Sequence, residues 1–98
     1  HGTVRRAWLG VRVVDLDPAV ASLLDLPGGA LVTSVDARSP ADQAGIARND
    51  IVTKVGTARI RDATDLVLAL RHHHPGDHVT VTVRRGQAEQ VESTTLGG

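Results

Sequence analysis

The sequence predicts an α+β domain: a small, mostly antiparallel sheet of five or six strands with one principal helix and two shorter ones. Three observations carry this. Val79, Val81 and Val83 alternate with Thr80, Thr82 and Arg84, a period of two that suits a half-buried strand. Ala63, Leu66, Val67, Ala69 and Leu70 form a stripe at helical spacing behind Asp62, a good N-cap. Asp17-Pro18 and Ser39-Pro40 each place a capping side chain before a proline suited to a first helical turn.

Taken in order, residues 11–16 read as a strand with a core edge and one accessible face. Asp17 then caps a short helix over residues 19–26, with Val20, Leu23 and Leu24 on one side. Pro27-Gly28-Gly29 stops it, and residues 30–35 read as a buried strand. Ser39-Pro40 opens the second short helix, with Ala41, Ala44 and Ile46 as buried candidates and Gly45 as its C-terminal stop. Asn49-Asp50 turns the chain into a strand over 51–55, with Asp50 bracing the turn. Gly56-Thr57 leads into a short extended piece at 58–60. The longest helix spans residues 63–73, with Asp65 near its positive end. Pro75-Gly76-Asp77 ends it, the valine strand follows, and Arg85-Gly86-Gln87 turns into a closing strand over 89–96.

Ninety-eight residues make one domain with a single core. Net charge is zero, so no global field favours nucleic acid or anionic membrane. Cysteine is absent, which removes disulfides and thiolate metal sites. Trp8 is the sole aromatic residue, so the core is aliphatic and base-stacking platforms are excluded. No apolar run approaches the ~18 residues a bilayer span needs. Starting at His1 rather than Met, the chain reads as a piece of something longer, with residues 1–4 a linker, 5–96 the domain and 97–98 a tail.

The stretch with chemical promise is Arg5-Arg6-Ala7-Trp8-Leu9-Gly10-Val11-Arg12-Val13. A glycine between two aliphatic residues lets the backbone turn sharply and lets a ligand approach its N–H groups. Consecutive N–H groups aimed into one concavity make an anion nest suited to a carboxylate. Arg5, Arg6 and Arg12 add positive charge, and Trp8 either stacks on a ligand or shields the loop. His72-His73-His74 invites a metal reading, but adjacent helical residues point about 100° apart and do not converge on one ion. They read instead as a polar helix end suited to the dipole. No Gly-x-Ser-x-Gly elbow accompanies the serines, and no metal, cofactor or catalytic constellation is predicted. Asp15, Asp17 and Asp25 read as turn and cap residues.

Four stretches together resemble a PDZ domain of the bacterial HtrA (Deg) serine protease family. They are Trp8-Leu9-Gly10-Val11, Ser39-Pro40-Ala41-Asp42-Gln43-Ala44-Gly45-Ile46, Asn49-Asp50-Ile51-Val52 through Val55, and Pro75-Gly76-Asp77. The order is that of the circularly permuted bacterial form, and the resemblance spans about residues 5–96. One departure, Val55 followed directly by Gly56-Thr57, affects only a local turn. The resemblance implies a PDZ-like sandwich or partly open barrel that binds peptides by strand addition. Leu9, Gly10 and Val11 would then hold a C-terminal carboxylate, and the strand from Val11 through Arg12 and Val13 would pair with the peptide. Ala63, Val67 and Leu70 would line the opposite wall, with Leu66 and Ala69 facing the core. Leu9 and Val11 would complete an aliphatic pocket for the last peptide side chain. Such a fragment is no enzyme. It implies a parent serine endopeptidase with its protease domain upstream, in an extracytoplasmic setting where a membrane segment can tether it. The alternative is an assembly domain whose groove is filled by another protomer or by its own tail. Other bacterial proteases, site-2 and tail-specific, and secretion proteins carry similar domains.

Overall fold

The computed structural model describes residues 7–98, so the expectations for Arg5, Arg6 and the linker at 1–4 lie outside the described residues. Six strands and three helices follow one another as β1 (Val11–Asp15), α1 (Pro18–Leu23), β2 (Ala30–Val35), α2 (Pro40–Ala44), β3 (Ile51–Val55), β4 (Ala58–Arg59), α3 (Ala63–Arg71), β5 (His78–Arg85) and β6 (Ala88–Thr95). The strands form one open antiparallel sheet in the order β1-β2-β3-β5-β6, with the short β4 paired to β3. β1 is therefore an edge.

The helices start where capping chemistry places them. Asp17 accepts from the Ala19 N–H, Ser39 from Asp42 and Asp62 from Asp65, each satisfying a first-turn donor that no helix can pair internally. Gly45 ends α2 at φ 88°, a left-handed backbone that glycine adopts without penalty. α3 ends at Arg71, two residues before the expected 73, with His72 as its C-cap.

The main core joins Leu9, Val32, Val52, Val55, Ile60, Leu66, Val81, Val83 and Leu96. A smaller cluster, Leu16, Ala21 and Ile51, lies under α1. Here one expectation fails. Val20 and Leu23 face solvent, Leu23 almost fully, while Ala21 and then Leu24 turn inward. The Asp17 cap and the Leu16 anchor set the rotation of a six-residue helix, and the larger side chains are left outside. The period-two reading of β5 also needs amending, because Thr82 is buried beside Val81 and Val83. A register shift between Val52 and Lys54 of β3 lies opposite it.

Candidate functional site

The backbone at Trp8, Leu9 and Gly10 is pinned by its carbonyls. Trp8 exchanges two hydrogen bonds with Gly97, N to O at 2.8 Å and O to N at 2.9 Å. Ala41 N–H donates to the Leu9 carbonyl at 2.9 Å, and Asp36 N–H donates to the Gly10 carbonyl at 2.8 Å. In a trans peptide the C=O and the following N–H point in opposite directions, and there is no cis bond among the described residues. With the Leu9 and Gly10 carbonyls drawn inward, the N–H groups of Gly10 and Val11 point outward. Among the described residues, neither Leu9 N–H nor Gly10 N–H donates to a backbone carbonyl.

Gly10 holds this geometry at φ 90°, and a Cβ there would stand 2.2 Å from the Ser39 Cβ. Both the backbone angle and the packing against the α2 cap demand glycine. The Trp8 ring lies across Gly97, whose hypothetical Cβ would be 3.1 Å from its Cε3, and flanks Gly10 while staying half exposed. Leu9 departs from expectation. Its side chain is buried in the core, so it offers the site backbone and not an aliphatic wall.

β1 continues the open edge. Val11 pairs with Val35 and Asp15 with Ala30, and the bonds flanking these pairs run from Asp36 N–H to the Gly10 carbonyl and from Leu16 N–H to the Gly29 carbonyl. In an antiparallel ladder those positions are the non-hydrogen-bonded pairs. By the same alternation, the backbone groups of Val11, Val13 and Asp15 face away from β2, toward the unpaired edge. The side chains of Val11 and Val13 are half-buried against the core, while Arg12 is exposed on the opposite face.

α3 lies across from this edge. Leu66 and Ala69 are buried, as expected. Leu70 is half-buried, Ala63 partly covered, and Val67 stays 48% exposed, a large share for an apolar side chain beside a core. Val67 and Leu70 line a hollow of about 120 Å³ with Ala7 and Arg71, next to the Leu9-Gly10 turn. Arg71 forms no ion pair among the described residues, and neither it nor Ala7 is among the groove-lining residues expected from the sequence. At the other end of the helix, Ala63 N–H donates to Asp15 Oδ1 at 2.9 Å, a tie between residues 48 apart in sequence.

A larger hollow, about 560 Å³, lies elsewhere, between α2 and the β5–β6 hairpin, and is lined by Pro40, Gln43, His73, His78, Thr80 and Thr95 among others. It borders β6, the other edge strand of the sheet, but its lining does not include the segment that leads into the Leu9-Gly10 turn. The smaller hollow includes Ala7 of that segment. His73 Nδ1 meets Asp77 Oδ2 at 3.4 Å, and Asp77 sits below the usual carboxylate range because it accepts from the His74 N–H and from His73. No group of three or more His, Cys, Asp or Glu among the described residues is placed to hold a metal ion. No helix among them is long and apolar enough to cross a membrane.

The comparisons with known proteins point to one family. The chain is 42% identical over 91 residues to the serine protease Do-like HtrA of Lactococcus lactis, covering 86% of this chain and 22% of that protein. It is 38% identical over 93 residues to a probable periplasmic serine endoprotease DegP-like of Rhizobium meliloti, covering 92% and 18%. The chain thus spans about a fifth of the length of these relatives. Among solved structures, the HtrA-type protease AlgW with decapeptide superposes at a TM-score of 0.85 with 27% identity, over 99% of this chain and 30% of that one. The HtrA3 PDZ domain bound to a phage-derived ligand (FGRWV) superposes at 0.76 with 25% identity, over 93% and 86%. The family model described as PDZ domain matches residues 7–96, which take in the pinned loop, the open edge strand and the helix across from it, so the chain belongs to the PDZ domain family.

Proposed function

We propose that this domain binds the C-terminal ends of protein chains by adding them as a strand to the open edge of β1. The observation that carries the reading is the outward pair of N–H groups at Gly10 and Val11, standing at the head of that edge. A carboxylate seated on them would be held by short, charge-assisted hydrogen bonds. The peptide backbone would then run antiparallel along Val11 and Val13. Its last side chain would enter the hollow between Val67 and Leu70. At about 120 Å³, somewhat below the ~150 Å³ of a dry cavity that takes benzene, the hollow suits a branched aliphatic side chain. The ligand of the HtrA3 PDZ domain likewise ends in valine.

Arg71, at the mouth of the hollow, and Arg12, on the outer face of β1, supply positive charge that speeds the approach of an anionic terminus more than it tightens the complex. In this reading Trp8 braces the loop across Gly97. The alternative of a groove filled by the chain's own tail fits less well, because Leu96 is buried and Gly97 is tied to Trp8. In the parent protein, the module would present substrates to an upstream serine protease domain, or tune it, in an extracytoplasmic compartment.

The test is a titration of valine-terminated peptides, each as free acid and as amide, followed by backbone amide shifts. The free acids are expected to bind at least tenfold more tightly and to shift Leu9, Gly10, Val11, Val67 and Leu70. Equal affinity for the amides, or shifts confined to the α2 and β5–β6 side, would sink the reading.

A further inference from the structure

The edge of β1 does not stop being available where the groove stops being wide. The backbone N–H and C=O of Asp15 face the open side, as those of Val11 and Val13 do. Its side chain, however, crosses to α3 and accepts the Ala63 N–H at 2.9 Å. An aspartate carboxylate reaches about 3.6 Å from its Cα, so the Asp15 Cα and the Ala63 nitrogen lie within ~6.5 Å of each other. An added strand needs ~4.8 Å to β1. It also needs a van der Waals separation of about 3.5–4.0 Å on the helix side, and the two together exceed 8 Å. With Asp15 tied to Ala63, an added strand at this level finds no straight gap between β1 and α3 and has to pass beside the tie.

Ala63 is the first residue of α3, and its N–H is one that the helix cannot pair internally. The Asp62 cap serves the Asp65 N–H instead. The Asp15 bond is thus the tertiary attachment of the α3 N-terminus to the edge strand, and it lies on the exposed surface.

We infer that Asp15 is a positioning residue that sets the width of the groove and marks its upstream end. This rests on the strand-addition reading above. With the terminal residue at Val11, successive peptide residues lie opposite Arg12, Val13 and Val14, and the fifth meets the bridge. Four residues are accommodated. Further upstream residues leave the groove unless Asp15 releases Ala63.

The experiment compares the tightest valine-terminated octapeptide from a peptide library with the acetylated tetrapeptide of its last four residues. Binding is measured on the 98-residue chain and its Asp15→Ala and Asp15→Asn variants. In the wild type the two peptides are expected to bind within about twofold of each other. In Asp15→Ala the octapeptide should gain about fivefold over the tetrapeptide, the size of one or two further backbone hydrogen bonds. Asp15→Asn keeps an acceptor and should restore the wild-type ratio. The Ala63 amide should exchange faster in Asp15→Ala alone. A residue that merely capped the helix would change both affinities equally and leave the ratio alone, which overturns the inference. So does a wild type that already gains with length. If the tetrapeptide amide binds wild type as well as the acid does, the strand-addition reading has failed, and the role of Asp15 falls with it.

Discussion

The corner around Asp50 and the turn at Leu9-Gly10 are both places where loop backbone meets the core, and they treat their polar groups in opposite ways. Asp50 is 1% exposed, yet every lone pair it needs is met. Arg85 donates Nε to Oδ1 at 2.8 Å and Nη2 to Oδ2 at 2.7 Å, and Ala47 N–H donates to Oδ2 at 2.9 Å. Arg85 Nη2 also reaches the Gly45 carbonyl at 2.9 Å. That one guanidinium ties the end of α2 to the β5–β6 hairpin. At Gly10 the carbonyls are paired just as well, but the N–H groups are turned out. No buried side-chain nitrogen or oxygen among the described residues lacks a partner. Against such complete side-chain pairing, the outward backbone donors beside a half-exposed valine set this turn apart, and the proposed peptide site rests on them.

Breaking the paired corner should cost the most and leave binding alone. Asp50→Ala strips a bidentate ion pair and orphans the Ala47 N–H, and is expected to cost about 3 kcal/mol. For a domain of this size that lowers Tm by about 15 °C. Thermal melts check the loss, and titration of the remaining folded protein checks that affinity for a C-terminal peptide is unchanged. A parallel loss of affinity would show that the two regions are coupled. The same pair dictates an acid limb. Burial opposes ionisation of Asp50, but the Arg85 hydrogen bonds, the Ala47 N–H and the Arg85 charge outweigh it and hold the carboxyl below its ordinary 3.8. The pair's contribution is therefore full above the unfolded-state value near 4 and disappears as pH falls through the lower folded-state value. Stability measured from pH 6 down to 2 should fall more steeply in wild type than in Asp50→Ala.

Gly10→Ala tests the other region from the side of strain. The new Cβ would collide with Ser39 at a φ that non-glycine residues avoid. The substitution should cost about 2 kcal/mol of stability. Relief requires rotating the peptide planes that aim the two N–H groups outward, so affinity should drop at least tenfold. Full affinity in a destabilised variant would detach the loop from binding.

Much of this was legible in the sequence because its signals are local. Asp17-Pro18, Ser39-Pro40 and Gly45 each act within one helical turn, and they placed α1 and α2. The strands at 30–35 and 51–55 have the bounds their apolar runs suggest. What was not legible depends on partners far along the chain. Arg85 finds Asp50 across 35 residues and Asp15 finds Ala63 across 48, and no spacing rule announces either. Asp15 looked like a turn residue because Asp17-Pro18 follows it. The rotation of α1 failed for a related reason. Its larger apolar side chains suggest one buried face, but the cluster beneath has room for Ala21 and Leu24 and not for Val20 and Leu23.

The smallest perturbation separates the regions most sharply. Val67 is 48% exposed, so replacing it with the near-isosteric threonine should change stability by no more than about 0.5 kcal/mol. In the free protein the new hydroxyl is satisfied by water. Once a ligand side chain fills the hollow between Val67 and Leu70, that hydroxyl loses its water and is left with poorer partners, its own helix backbone and Arg71. The cost arises only in the complex, and affinity for a valine-terminated peptide should fall about three- to fivefold, within the penalty for an imperfectly paired hydroxyl. A peptide ending in serine should lose less, since it can meet the threonine with a hydrogen bond. If Val67→Thr weakens both peptides equally, the last side chain lies elsewhere, and the exposed face of α3 has to be explained without it.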